Sequence, residues 1–216
     1  MEFSHVISSR RSIRAYEDKP VSDEMLMELL EAGTWAPSAV NLQPWYFVAI
    51  KSKEQMKKLV EIMGIVSQRI EPNLKERFAK HPAVVEETTR FVRQMGGAPV
   101  CILAFQYKPD YDKTDSSIVQ SVAAAIENVL LAAVEKGLGG CWLTAPLEAA
   151  VGDELRELFA PGKGPLVAML TIGYPAQNPK APTRKDGRYI IIKGAVNMKE
   201  VVIVSAARTP FGKFGG

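Results

Sequence analysis

Arg10-Arg11-Ser12-Ile13-Arg14, read with Ala36-Pro37-Ser38-Ala39-Val40-Asn41-Leu42-Gln43-Pro44-Trp45 further on, is the pair of stretches around which this chain is organised. The first packs three cations and a hydroxyl into five residues. Guanidinium forks match phosphate oxygens bidentately, so it suits a phosphate group; the alternative is a solvated basic turn. The second is bounded by Pro37 and Pro44 and cannot be regular helix. Ser38, Asn41 and Gln43 alternate with Ala39, Val40 and Leu42, which offers several hydrogen-bonding groups in little space and suits a flat polar ring system. A plain turn accounts for the Pro and Asn, but rarely needs Gln and Trp beside them.

The bulk properties narrow the class. A chain of 216 residues fits one domain with room for a sizeable core. At 47% hydrophobic and 24% charged residues it reads as an ordinary globular protein and not as a disordered one. The net charge of +3 is small and spread along the chain, which gives no case for nucleic acid. Apolar runs are interrupted by Gly, Glu or Lys, so no membrane span is expected, and the opening residues lack a signal-peptide pattern. Cys101 and Cys141 lie within apolar segments and read as buried reduced thiols, which points to the cytoplasm. His5 and His81 stand alone and make no metal-ligand spacing, and no Ser, Cys or His forms a nucleophilic arrangement.

Along the chain, Phe3, Val6 and Ile7 predict a short opening helix ending near Ser8-Ser9. Ser22 reads as the N-cap of a helix with Asp23 and Glu24 in its first turn and Met25, Leu26, Leu29, Leu30 and Gly33 on one face. Residues 46–50 and 99–105 read as buried strands. A helix is expected over 53–64, then a polar helix–loop piece over 65–81, then a helix with Pro82 at its first position. Residues 116–136 form the most apolar helix; a helix apolar on most sides must be covered on most sides, which suggests a central position and a partner subunit. The stretch Gly137-Leu138-Gly139-Gly140-Cys141-Trp142-Leu143-Thr144 ends that helix and begins a short strand, so it is no dinucleotide fingerprint, which sits between strand and helix. A helix over 149–159 and a strand over 166–172 follow. The alternation of strands and helices alone suggests a parallel, doubly wound sheet.

Four segments stand out in order: Arg-Arg-Ser-Ile-Arg, Pro-Ser-Ala-Val-Asn-Leu-Gln-Pro-Trp, Gly-Leu-Gly-Gly-Cys-Trp-Leu-Thr, and a cationic run near Arg184. Together they closely resemble the nitroreductase family of FMN-dependent oxidoreductases over residues 3–188. The resemblance implies an α+β domain, a mostly antiparallel central sheet flanked by helices, in an intertwined homodimer with FMN at the subunit interface. It assigns Arg10, Arg11, Ser12 and Arg14 to the FMN phosphate and one ring edge. It assigns Pro37, Ser38, Ala39 and Asn41 to a loop lent to the neighbour's flavin, and Leu143, Thr144 and Ala145 to backbone near the flavin N5. Arg184, with Lys185, matches a second phosphate cation, although Arg188 is an alternative because the sequence departs from the family pattern there. The implied activity is two-step hydride transfer from NAD(P)H to nitroaromatic or quinone-type acceptors. Dehalogenation, flavin fragmentation or non-enzymatic flavin binding are the alternatives.

The end of the chain, residues 198–216, resembles the first residues of a thiolase but carries none of its catalytic segments. It reads as a fused fragment, disordered or adding Val201 to Val204 to a sheet edge. The domain organisation expected is therefore 1–197 as the FMN-binding domain and 198–216 as a non-functional tail.

Overall fold

The computed structural model describes residues 2–112 and 116–192; the thiolase-like stretch lies outside them. The chain divides into two compact units, 1–181 and 182–216. In the second, residues 182–192 are exposed and form neither helix nor strand.

The first unit is built on a four-stranded sheet in the order β1-β2-β4-β3, with β1 Trp45–Ile50, β2 Val100–Gln106, β3 Gly139–Leu143 and β4 Leu166–Gly173. Every neighbouring pair is antiparallel. The central strands β2 and β4 are buried on both faces. Because side chains alternate along a strand, Cys101, Leu103 and Phe105 of β2 enter one apolar cluster while Val100, Ile102 and Ala104 enter another. Helices α3 (Lys53–Arg77) and α4 (Pro82–Gln94) cover the first cluster with α7 (Gly152–Phe159), and α2 (Asp23–Thr34) and α5 (Ser116–Glu135) cover the second. A short α1 (Phe3–Ser9) and a single-turn α6 (Ala145–Glu148) complete the unit.

The number of helices in each connection decides the strand directions. Two antiparallel helices, α3 and α4, join β1 to β2, so the chain returns to the end it left, and Ile50 pairs with Cys101. A single helix, α5, joins β2 to β3, and these two do run the same way; β4 lies between them and opposes both. The parallel sheet suggested by strand–helix alternation is thus replaced by the antiparallel one.

Helix α3 runs on through Gly64 and Pro72, where the sequence suggested an end and a looser piece. Leu59, Ile62, Met63, Val66 and Ile70 keep one buried stripe across the glycine, and Ser67 donates from its Oγ to the Thr89 carbonyl of α4 at 2.9 Å. That burial outweighs the ~1 kcal/mol an interior glycine costs a helix. The helix expected over 149–159 forms as α7 but starts three residues later, after Ala150 at φ 54 ends the preceding turn α6. Ser22 caps α2 as expected, accepting from the Met25 amide at 3.2 Å.

Helix α5 is long and apolar enough to cross a bilayer by length and composition, contrary to the reading that apolar runs are too interrupted. Its Val122, Ala125, Ile126, Val129 and Ala133 are instead fully buried in the core between α2 and the sheet. Replacing Ile126 with alanine removes a fully enclosed side chain, at a cost of about 2–5 kcal/mol. The measurement is a urea unfolding curve, whose midpoint falls while its slope stays unchanged.

Candidate functional site

After α1 the chain runs extended past the open edge of β3. Ser12 pairs with Gly140 as a parallel bridge, and the Ile13 amide donates to the Gly140 carbonyl at 3.0 Å. Tyr16 pairs with Pro175; its amide donates to the Gly96 carbonyl at 3.1 Å, and the Ala176 amide donates to Ala15 at 2.9 Å. Two glycines allow this closeness. A side chain on Gly139 would come within 2.4 Å of Ile13 Cγ1. One on Gly96, which also has φ +63, would come within 2.2 Å of the Arg14 carbonyl oxygen.

The buried Tyr16 hydroxyl fixes the segment from inside. It donates to the Ile13 carbonyl at 2.7 Å and lies 2.8 Å from Thr171 Oγ1 of β4, which completes its hydrogen bonding. Burial raises the phenol pKa, so it stays neutral across the physiological range. Thr171 is flanked in register by Cys101 on β2 and Cys141 on β3. With a whole strand between them, the two thiols are about 9–10 Å apart at the backbone, beyond disulfide reach. Both are free; burial pushes Cys101 up to about 12 and raises Cys141 as well.

Extended backbone sends successive side chains to opposite sides, and this divides the cationic cluster. The nearby charges of Arg14 and Arg10 and the Ser12 hydroxyl act on the Cys141 thiol, partly opposing the effect of its burial. Arg10, Ser12 and Arg14 therefore share one side. Arg10 Nε contacts Glu127 Oε1 of α5 at 3.3 Å, while the Arg14 guanidinium lies 5.9 Å from the centre of the Phe91 ring. Arg11 and Ile13 line a separate recess of about 450 Å³. Arg11 Nη1 donates to the carbonyls of Ser8 and Arg10, both at 2.7 Å, and its Nε is buried without a partner.

The Pro-bounded loop holds a single 3₁₀ turn, Ala39–Asn41. Val40, Asn41 and Gln43 all have positive φ, at 44°, 55° and 46°, a costly arrangement above all for β-branched Val40, which is 94% exposed. Ser38 Oγ accepts from the Gln43 amide at 3.0 Å, Gln43 Nε2 donates to Asn41 Oδ1 at 3.0 Å, and the Ala39 amide donates to Ser121 of α5 at 3.2 Å. Pro37 stands exposed beside them. Among the described residues no hydrogen bond or ion pair joins this loop to Arg10–Arg14. Leu143 closes β3, Thr144 is exposed at the start of α6, and Ala145 is its first residue. Arg184, Lys185 and Arg188 are exposed in the second unit.

Tyr16, Phe91, Gly96 and Cys141 are the contributors that sequence reasoning did not place at the site. Tyr16 was detectable as the next residue on the Arg10, Ser12, Arg14 side of an alternating strand. Phe91 had no such signal, because its helical spacing marks it only as core.

The nitroreductase family model matches residues 7–174, and the chain belongs to that family. A Methanothermobacter thermautotrophicus protein, provisionally named NADH dehydrogenase/NAD(P)H nitroreductase, is 32% identical over 183 residues, 83% of this chain and 80% of that protein. The iodotyrosine deiodinase of Hydra vulgaris is 30% identical over 206 residues, 89% of this chain and 72% of that one. Among solved structures, a provisionally assigned nitroreductase from Desulfovibrio desulfuricans in complex with FMN superposes with a TM-score of 0.66 at 28% identity, covering 90% of this chain and 98% of its own.

Gly96→Ala tests the close approach. Its methyl meets a backbone carbonyl and its φ is unfavourable, so the variant should be destabilised by about 1–3 kcal/mol. Gly97→Ala is the control for left-handed strain alone, since its φ is +74 but no atom lies within 4 Å of the added carbon. Thermal unfolding of the two should show the larger loss at Gly96.

Proposed function

We propose that this protein is an FMN-dependent oxidoreductase passing hydride from NAD(P)H to nitroaromatic or quinone-type acceptors in two half-reactions. The observation that carries the reading is the shared side of Arg10, Ser12 and Arg14 on a strand locked to the sheet. Arg10 spends one nitrogen on Glu127 and the Arg14 side chain makes no hydrogen bond with another described residue, so donors remain for a phosphate and a polar ring edge. When bound, FMN supplies the hydride chemistry that no side chain of this chain offers alone. The residues' own tasks are to bind, orient and shield. Arg10 and Arg14 neutralise phosphate charge, Ser12 adds a hydroxyl, and the neutral Tyr16 phenol holds the strand in register without adding a charge. The backbone of Leu143, Thr144 and Ala145 borders the ring.

A homodimer belongs to the same reading. The strained loop with Pro37, Ser38, Ala39 and Asn41 has no tie to its own chain's cations, and Phe3, Trp35, Val40 and Val119 are exposed apolar side chains. A second subunit would give the loop a flavin to cover. Reductive dehalogenation is a second reading, supported by the identity to iodotyrosine deiodinase over 89% of this chain.

The test is to load the protein with FMN, reduce it anaerobically with NADH or NADPH, and then offer menadione, a nitroaromatic or an iodotyrosine. Oxidation by menadione and the nitroaromatic supports the main reading, and iodide release supports the second. Protein that retains no flavin sinks both. Arg10→Ala with Arg14→Ala should weaken FMN binding, each charged hydrogen bond being worth about 1.5–3 kcal/mol, with the far-ultraviolet circular dichroism preserved. A dissociation constant unchanged in fluorescence titration would remove these residues from the site.

A further inference from the structure

The ion pair between Arg10 and Glu127 stands where a phosphate site has least use for a carboxylate. Glu127 lies on α5, whose rotation is fixed by the residues on either side of it. Ile126 is fully buried, and Asn128 Nδ2 donates to the Ala32 carbonyl of α2 at 3.2 Å. Leu130, three residues on, shares a side of the helix with Glu127. It lies directly against Gly140, where an added side chain would come within 2.7 Å of Leu130 Cδ2, and Gly140 is the bridge partner of Ser12. One side of α5 therefore meets the cation strand and its sheet partner twice, through Leu130 at Gly140 and through Glu127, whose Oε1 is 3.3 Å from Arg10 Nε. The point from which Glu127 reaches Arg10 is set by the core.

A half-exposed pair of this kind adds little to the stability of a fold. A carboxylate also repels the anion that Arg10, Ser12 and Arg14 would collect, so it weakens the site unless it orders Arg10. Arginine has a long, rotamer-rich side chain, and ordering it at the moment of binding lowers affinity. Glu127 holds Nε at one edge of the guanidinium, and neither Nη of Arg10 makes a hydrogen bond with another described residue. Because the fork is planar and rigid, holding Nε fixes the direction in which those two donors point. Resting on the flavin reading above, we propose that Glu127 is a positioning residue of the phosphate site. It aims both Arg10 Nη groups at the phosphate before FMN arrives, and so sets the preference for FMN over riboflavin, which has the same ring system and no phosphate.

Two substitutions separate orientation from charge, because removing Glu127 both frees Arg10 and removes a repelling group. Glu127→Gln keeps an acceptor for Arg10 Nε without the charge, and Glu127→Ala keeps neither. Both residues suit a half-exposed helical position, so α5 stays intact, which circular dichroism checks. Fluorescence titration of the full chain with FMN and with riboflavin gives the ratio of the two dissociation constants. The wild-type protein should prefer FMN. Glu127→Ala should lower that preference about tenfold with riboflavin binding unchanged, as expected for one charged hydrogen bond that is no longer pre-aimed. Glu127→Gln should keep the wild-type preference or raise it. An equal preference in the Ala and Gln variants overturns the assignment: both at the wild-type value mark a plain surface pair, and both raised mark only a repelling charge. In either case the flavin reading stands. Wild-type protein that takes up neither flavin overturns that reading and this assignment with it.

Discussion

The narrow gap between the segment Ser12–Tyr16 and the backbones of β3 and Gly96 is the constraint on which the rest of the site depends. Gly139 and Gly96 leave no volume for a side chain there, so the cation strand can lie against the sheet edge and take its hydrogen bonds. Packing alone would permit the strand to slide. Its register comes from the polar link beneath it, where Tyr16 joins the Ile13 carbonyl to Thr171 of the fully buried strand β4. In low dielectric such a link is strong when complete and costly when one member is lost. Slipping by one residue would turn Arg10 and Arg14 to the side that Arg11 now occupies.

The same strand owes its surroundings to the two-helix connection between β1 and β2. One helix would have made those strands parallel; the pair α3 and α4 makes them antiparallel and returns α4 to the start of β2. Its end then meets Arg14 through Phe91, and its left-handed Met95 cap leads directly into Gly96. Fold direction and site composition are therefore outcomes of one feature. Continuous burial of the α3 residues Leu59, Met63, Val66 and Ile70 in the cluster shared with α4 sustains α3 past Gly64, and without that length the hairpin would have less of its own apolar contact.

Much of this could be read from the residues. Local signals, such as Ser22 as a cap, Pro82 at a first helical position and the continuous apolar runs of β1, β2 and β4, appear where they were expected. Signals that depend on tertiary burial did not carry. Gly64 reads as a stop because glycine punctuates helices and the stretch over 65–81 is more polar and carries Pro72, and only the packing of α3 against α4 shows why the helix continues. Strand direction was likewise invisible, since alternation of strands and helices does not count the helices within each connection. At the site, Arg10, Arg11, Ser12 and Arg14 could be gathered by sequence proximity, but only the extended backbone shows that Arg11 faces a different recess.

The Pro-bounded loop shows how strain can carry information that burial does not. Three non-glycine residues in or near the left-handed region cost on the order of 1–3 kcal/mol each. Such a cost persists only where the surrounding structure restrains the conformation; here the restraints are the turn's own bonds (Asn41 to Ser38, Leu42 to Ala39, Gln43 to Ser38 and to Asn41) and two ties outward, Ala39 to Ser121 and Tyr107 to Pro44. They fix the loop's ends and leave Val40 in water. The balance is incomplete within one chain. The uncompensated part of the strain is concentrated at Val40, where an apolar surface laid against the side chain would offset it.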